Sequence, residues 1–148
     1  MLIQFSVENF RSFRKRATLS MEASKDEDLS DHVAILGKER ILKTAALFGA
    51  NAAGKSNLFA AMTAAILMVR LSNARQVGEP LALIVPFAFS DGTKQQPSSF
   101  EFVFLISGTK YVYGFSATRD KVVEEYLYVY HSVRPSTVFE RTGETYRF

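Results

Sequence analysis

The chain has 148 residues, of which 47% are hydrophobic and 22% charged, with a net charge of +3 and no cysteine. That size fits one domain with a sizeable core, and the balance excludes a disordered or low-complexity chain. The lack of cysteine excludes disulfides and cysteine-ligated zinc or iron–sulfur centres, while the mild basic excess neither demands nor forbids nucleic acid.

Leu2, Ile3, Phe5, Val7 and Phe10 nearly alternate with polar residues, which predicts a first strand. A secretory signal would instead need a basic start, a continuous apolar region and a small-residue cleavage site. Ala17–Met21 alternates again, so Arg11–Arg16 reads as a hairpin-type connection. Its cluster of Arg11, Arg14, Lys15 and Arg16 reads as a solvated turn. A polar, acidic loop over Ala23–Ser30 leads to a short strand over His32–Leu36, and Ile41 and Leu42 begin another. Thr44–Phe48 is a continuous apolar run ending at Gly49, the pattern of a central parallel strand covered on both faces.

From Lys55 to Leu71 the chain is rich in Leu, Met and Ala, with neither Gly nor Pro, which predicts a helix. It is apolar almost all round, so it is expected to be buried against a sheet, with Ala60, Ala61, Ala64 and Ala65 allowing close approach. Its longest apolar stretch, Leu58–Val69, is well short of the roughly 20 residues that span a bilayer. The expectation is a soluble, cytoplasmic protein with no membrane partner.

Asn73–Pro80 breaks the helix, and the remainder is strand-rich. Leu81–Phe89, Phe100–Ile106, Tyr111–Ala117, Val122–Tyr130 and Thr137–Glu140 are separated by turn residues at 90–92, 107–109, 119–120 and 142–144. The fold class is therefore α/β, with a central strand–loop–helix unit followed by an antiparallel β-meander. Only one long helix is legible to cover the central strand, and the last five residues, Glu144–Phe148, read as strand. The whole of 1–148 is accordingly expected to be a single, partial domain of a larger protein.

Gly49-Ala50-Asn51-Ala52-Ala53-Gly54-Lys55-Ser56 fits the phosphate-loop pattern G-x-x-x-x-G-K-[ST] at every fixed position. Chance alone produces such a match in roughly one in a few hundred chains of this length. Gly49 permits a sharp exit from a strand, and Gly54 lets backbone approach phosphate. The amides of Ala50, Asn51, Ala52 and Ala53 can point inward as an anion nest, reinforced by the positive end of the helix. Lys55 supplies a charge for the β and γ phosphates, and Ser56 a hydroxyl for Mg²⁺. The pattern implies binding of a nucleoside triphosphate with Mg²⁺.

Hydrolysis needs more: a metal-holding carboxylate at the end of a second apolar strand, and a group that orients water. No segment has that form. Asp91 follows Pro-Phe-Ala-Phe-Ser, Glu101 lies within Ser-Phe-Glu-Phe-Val-Phe, and Glu124 and Glu125 follow only two valines, so they read as strand-surface residues. The catalytic residues thus remain unknown. His32 and His131, the two histidines, read as surface or loop residues rather than ligands. Phe10 and Phe13 read as core rather than base contacts. Tyr126, Tyr128 and Tyr130 share one strand face and read as a packing or interface stripe.

Taken together, Phe5–Phe13 (FSVENFRSF), Gly49–Leu58 (GANAAGKSNL) and Phe100–Phe115 (FEFVFLISGTKYVYGF) resemble the N-terminal lobe of ABC-type ATPase heads of the SMC/RecF kind. The nearest resemblance is to bacterial ATP-binding proteins related to the OLD (overcoming lysogenization defect) and abortive-infection ATPases. The resemblance implies a P-loop NTPase whose signature motif, metal-binding aspartate and catalytic glutamate lie in a C-terminal lobe absent from this chain. It implies ATP and Mg²⁺ as cofactors, and a homodimer of full-length heads that sandwiches two nucleotides. It further implies an effector nuclease or toxin, a role in phage defence or DNA maintenance, and leaves DNA open as a partner. Arg11 matches an arginine that reaches toward nucleotide in related heads, Asn51 matches the loop asparagine, and Asn57 completes the nucleotide-binding set. The usual glycine after that asparagine is Ala52 here, so the loop is expected to hold a conformation open to an ordinary residue at that point. A different class, a switch module that binds ATP without hydrolysis, also fits the residues. A small P-loop kinase fits less well, because a β-meander stands where its lid helices belong.

Overall fold

The computed structural model describes residues 1–76 and 78–148. Two strands open the chain, β1 (Leu2–Glu8) and β2 (Ala17–Ser20), followed by a hairpin of β3 (Val33–Leu36) and β4 (Glu39–Leu42). The single long helix α1 (Lys55–Arg70) comes next, then β5 (Ser98–Ile106), β6 (Thr109–Ala117), β7 (Val122–Tyr130), β8 (Ser136–Thr142) and β9 (Thr145–Arg147). Seven strands form one antiparallel sheet in the order β2-β1-β5-β6-β7-β8-β9, and β3–β4 form a separate pair. The expected meander is present, with β1 and β2 added to its first edge. No helix among the described residues is long and apolar enough to cross a membrane.

The sheet follows from period-two patterning. Phe5 opposes Phe102, Val7 opposes Phe100, and Phe100 opposes Phe115, which places these rings on one face. Two residues, Ser107 and Gly108, connect β5 to β6, both with positive φ (50° and 80°), as the tightest hairpin turns require. Helix α1 lies across the aromatic face. Ala61, Ala64, Ala65 and Met68 bury against Phe5, Val7, Phe10, Phe100 and Phe115 in one cluster. The small side chains let helix and sheet approach closely, as their sequence positions lead one to expect. A second cluster of Ile3, Ile41 and Leu105 seats the β3–β4 hairpin, which is also tied by Leu42 N donating to Met21 O at 2.7 Å.

Three expectations are corrected. First, Thr44–Phe48 forms no strand: the run is unpaired, and residues 43–53 are exposed, with Phe48 93% accessible. The large sheet is antiparallel throughout, and both sides of β1 are taken by β2 and β5, so the run meets no parallel neighbour among the described residues. Second, Leu81–Phe89 is not a strand either. Ile84 N donates to Leu81 O at 2.8 Å, closing a turn that puts both side chains into the core three residues apart, and Pro86 has no N–H to offer a ladder. Third, α1 is only half covered: Phe59, Ile66 and Val69 stay exposed on its outer side. One helix on one sheet buries one stripe, however apolar the remainder.

Candidate functional site

The exit from the apolar run into α1 forms the candidate site. Gly54 occupies the N-cap position of α1 with φ 91°, in the left-handed region that favours glycine. A side chain there would also press on its neighbour, since a Cβ would lie 3.3 Å from Ser12 Oγ. With glycine at the N-cap there is no side-chain cap, and the first turn contains no acidic residue. The positive end of the helix is therefore left uncompensated by the protein. Among the described residues, Ala53 is the one amide between Asn51 and Ser56 that donates to a backbone acceptor, reaching Ala50 O at 3.2 Å. The other amides of that stretch are free to meet an anion.

Lys55 and Gly54 are half-buried, whereas Gly49, Ala50, Asn51, Ala52, Ala53 and Ser56 are exposed. The Lys55 ammonium folds back over its own loop, donating to Gly49 O at 2.6 Å and Ala50 O at 2.7 Å. It thus holds a cation at the centre of the loop through two carbonyls that an incoming phosphate oxygen can replace. Ala52 corrects another expectation. Its φ is 64°, so an alanine does adopt the left-handed conformation that a glycine would take at lower cost.

A second element reaches this loop from the far end of β1. Phe10 and Phe13 exchange backbone hydrogen bonds at 2.9 and 2.8 Å, leaving Arg11 and Ser12 at the tip of a tight turn. Arg11 has φ 47°, its N–H donates to Val85 O at 2.8 Å, and its guanidinium sits 5.6 Å from the Phe10 ring centroid. Phe10 is fully buried and Phe13 half-buried, so both pack in or against the core as expected. Asn57 Nδ2 donates to Ser12 Oγ at 2.9 Å, joining the helix to the tip. The structure thereby brings Arg11, Asn57 and Gly49–Ser56 to one end of α1. Beside them lies a small cavity of about 210 Å³ lined by Phe13, Leu47, Phe48 and Leu58 together with the loop.

Two residues of this region escape a reading of the sequence. Ser12, like Asn9, lies within the Phe5–Phe13 stretch that carries the family resemblance, but the sequence alone assigns it no role. Asn9 is 4% exposed with φ 50°, and its Nδ2 donates to Thr93 O (2.8 Å) and Gln96 O (2.9 Å) while its Oδ1 accepts from Phe87 N (3.1 Å). Ser98 Oγ also donates to Asn9 O at 2.6 Å. Asparagine tolerates the left-handed region, and a polar residue at the end of an alternating strand was the one available signal.

Three carboxylates of the sheet are engaged by tyrosines. Tyr113 donates to Glu125 at 2.7 Å, Tyr126 to Glu101 at 2.5 Å and Tyr128 to Glu140 at 2.7 Å. Arg16 pairs with Glu101, and Arg141 approaches Glu125 at 3.9 Å. Burial, aided by the Glu125 bond, raises the Tyr113 phenol far above its ordinary range, and burial with the Glu101 bond does the same for Tyr126. The Glu140 bond, then burial, pushes Tyr128 up to about 12. Tyr126 and Tyr128 stack with centroids 5.0 Å apart, in keeping with a packing stripe. Asp91 pairs with exposed Lys94, Glu124 is exposed, and both His32 and His131 are exposed. No group of three or more metal-ligating side chains occurs among the described residues. A cavity of about 640 Å³ between α1 and the sheet is lined almost wholly by apolar side chains such as Met62, Ile66, Phe102 and Phe104 and lies apart from the loop.

Residues 45–148 match the protein family described as "AAA domain, putative AbiEii toxin, Type IV TA system". The chain belongs to this family. Membership supports a P-loop ATPase-like, nucleotide-binding domain of the abortive-infection kind for this mixed α/β chain. The match takes in the whole phosphate loop, α1 and the meander, whereas Arg11 and Ser12 lie before its first residue. A comparison with curated proteins finds no relative that matches.

Proposed function

We propose that this chain binds ATP with Mg²⁺ through Gly49–Asn57, with Arg11 at the rim, as the N-terminal lobe of an ABC-type ATPase head of the SMC/RecF/OLD-like kind. The observation that carries this reading is the set of free amides at an uncapped, acid-free helix end with Lys55 folded over it. Lys55 would exchange Gly49 O and Ala50 O for the β and γ phosphates, and Ser56 would lend its hydroxyl to Mg²⁺. Phosphate oxygens and water would supply the rest of the metal's shell.

Hydrolysis belongs, on this reading, to a complete head. The unpaired, exposed Thr44–Phe48 run has the composition of a central parallel strand, which supports the view that a further lobe covers it. That lobe would bring the second carboxylate, and a second head would close the site in a homodimer. The toxin context of the family fits an effector partner; on this proposal a nuclease or toxin acts downstream of the ATPase, in phage defence or DNA maintenance, within the cytoplasm. The second reading, an ATP-dependent switch that does not hydrolyse, is favoured by one observation. Glu101, Glu125 and Glu140 are each tied to a tyrosine on the sheet, away from the loop.

Calorimetric titration with Mg²⁺–ATP tests the proposal. The chain is expected to bind weakly, with negligible turnover, and Lys55→Ala to abolish binding. Lys55 bonds only its own loop, so the circular dichroism spectrum is expected to stay unchanged. Equal binding by Lys55→Ala, or robust hydrolysis by the pure chain, would overturn it.

A further inference from the structure

We infer that Ser12 is a positioning residue for the nucleotide site: its bond to Asn57 clamps the Arg11 turn to the first turn of α1, so that turn and phosphate loop meet the triphosphate as one unit. The inference rests on the nucleotide-binding reading above and adds to it a residue outside the phosphate loop.

The geometry makes the clamp specific. Gly54 has no side chain with which to fix the start of α1, so the orientation of the first turn depends on contacts from outside the helix. Ser12 supplies the polar one: its Oγ accepts from Asn57 Nδ2 at 2.9 Å beside Gly54, while Phe13 and Leu58 pack against the same core. The tip that holds Ser12 is itself stiff. It is closed by the paired Phe10–Phe13 bonds, anchored by the buried Phe10 ring, and preceded by Asn9, whose side chain is fixed by several backbone partners. Free amides and the Lys55 ammonium hang from the first turn of α1, while the Arg11 guanidinium hangs from the same tip as Ser12. The Ser12–Asn57 bond is thus the side-chain hydrogen bond that joins the two sets of positive groups, beside the packing of Phe10, Phe13 and Leu58 in one cluster. Ser12 is exposed and contributes little apolar burial, so the clamp acts on binding geometry rather than on the core.

A double-mutant cycle on Mg²⁺–ATP affinity, read by calorimetry on the full chain beside thermal unfolding, tests this. Ser12→Ala is expected to weaken binding about five- to tenfold, the worth of one hydrogen bond, Asn57→Ala at least as much, and Ser12→Ala to add no further loss once Asn57 is alanine. Ser12→Thr keeps the acceptor and is expected to retain affinity, with unfolding temperatures unchanged across the set. Arg11→Ala is expected to lose most of its own effect once Ser12 is alanine. Unchanged affinity in Ser12→Ala, additive losses in the double variant, or an undiminished Arg11 effect would overturn the clamp while leaving nucleotide binding standing. Failure of the unaltered chain to bind Mg²⁺–ATP would overturn both.

Discussion

The phosphate-loop segment, residues 44–56, and the sheet residues from Ser98 to Arg147 are opposites. The loop carries the most informative residues of the chain, yet it is exposed and held mainly by Gly54, Ala53 and the Lys55 fold-back. The sheet carries no phosphate-binding motif, yet its strands pair in unbroken order through β9 and Phe5, Phe10, Phe100 and Phe115 are buried together under α1. The contrast shows that chemistry and cohesion are separable here: the segment suited to hold a ligand is exposed and has few protein partners. Ligand-binding loops come from the low-stability end of a structure because their polar groups must remain available.

The strongest way to break the comparison is Phe100→Ala. That ring is 2% exposed and packs on both Phe10 and Phe115, so its loss is expected to cost about 3–5 kcal/mol in denaturant unfolding. Phe48→Ser, at the exposed loop, is expected to change stability by no more than about 0.5 kcal/mol, and a comparable loss at both sites would erase the contrast. Next in size is Asn9→Ala. It orphans the Phe87 N–H and the Thr93 and Gln96 carbonyls and places alanine at φ 50°, for an expected cost of about 2–4 kcal/mol.

Gly114→Ala sharpens the picture on the sheet's other face. A Cβ there would come 2.3 Å from the Tyr126 Cζ and hydroxyl, so the ring that lies over Gly114 must move off Glu101. A loss of about 1–3 kcal/mol is expected, with partial recovery when Tyr126 is also shortened to leucine. The smallest effect is on titration. The folded-state pKa of Tyr128 is raised above the unfolded value of 10, so the stability it lends is fully present below pH 10 and lost as pH rises through about 12. A difference spectrum between the chain and Tyr128→Phe should show the phenolate step near pH 12. A step near pH 10 would mean that the Glu140 bond is absent in solution.

The elements themselves were largely legible. Alternation located β1, β2 and β5–β8 to within a few residues, because one face of an antiparallel sheet must be apolar and the other need not be. The helix was legible from composition, and the loop from its two glycines, lysine and serine. Thr44–Phe48 and Leu81–Phe89 were misread for the same reason. An apolar run declares that it can be buried but not whether a neighbouring backbone is there to pair with it. Within the candidate site, the amide cup and Lys55 could be anticipated, since the motif is local. The contacts of Ser12 and Asn9 could not, because their partners lie 45 to 89 residues away in the chain.

The sequence by itself determined the uncapped start of α1, since a glycine at the cap, a following lysine and an acid-free first turn are properties of consecutive residues. It also determined which strands could share a sheet, because period-two patterning assigns every side chain a face. Only the tertiary structure decided that Ala52 adopts a left-handed conformation, that the Arg11 turn rests on Gly54, and that Glu101, Glu125 and Glu140 are committed to tyrosines. Those outcomes depend on which distant surfaces meet when the core closes, and no local pattern encodes that meeting.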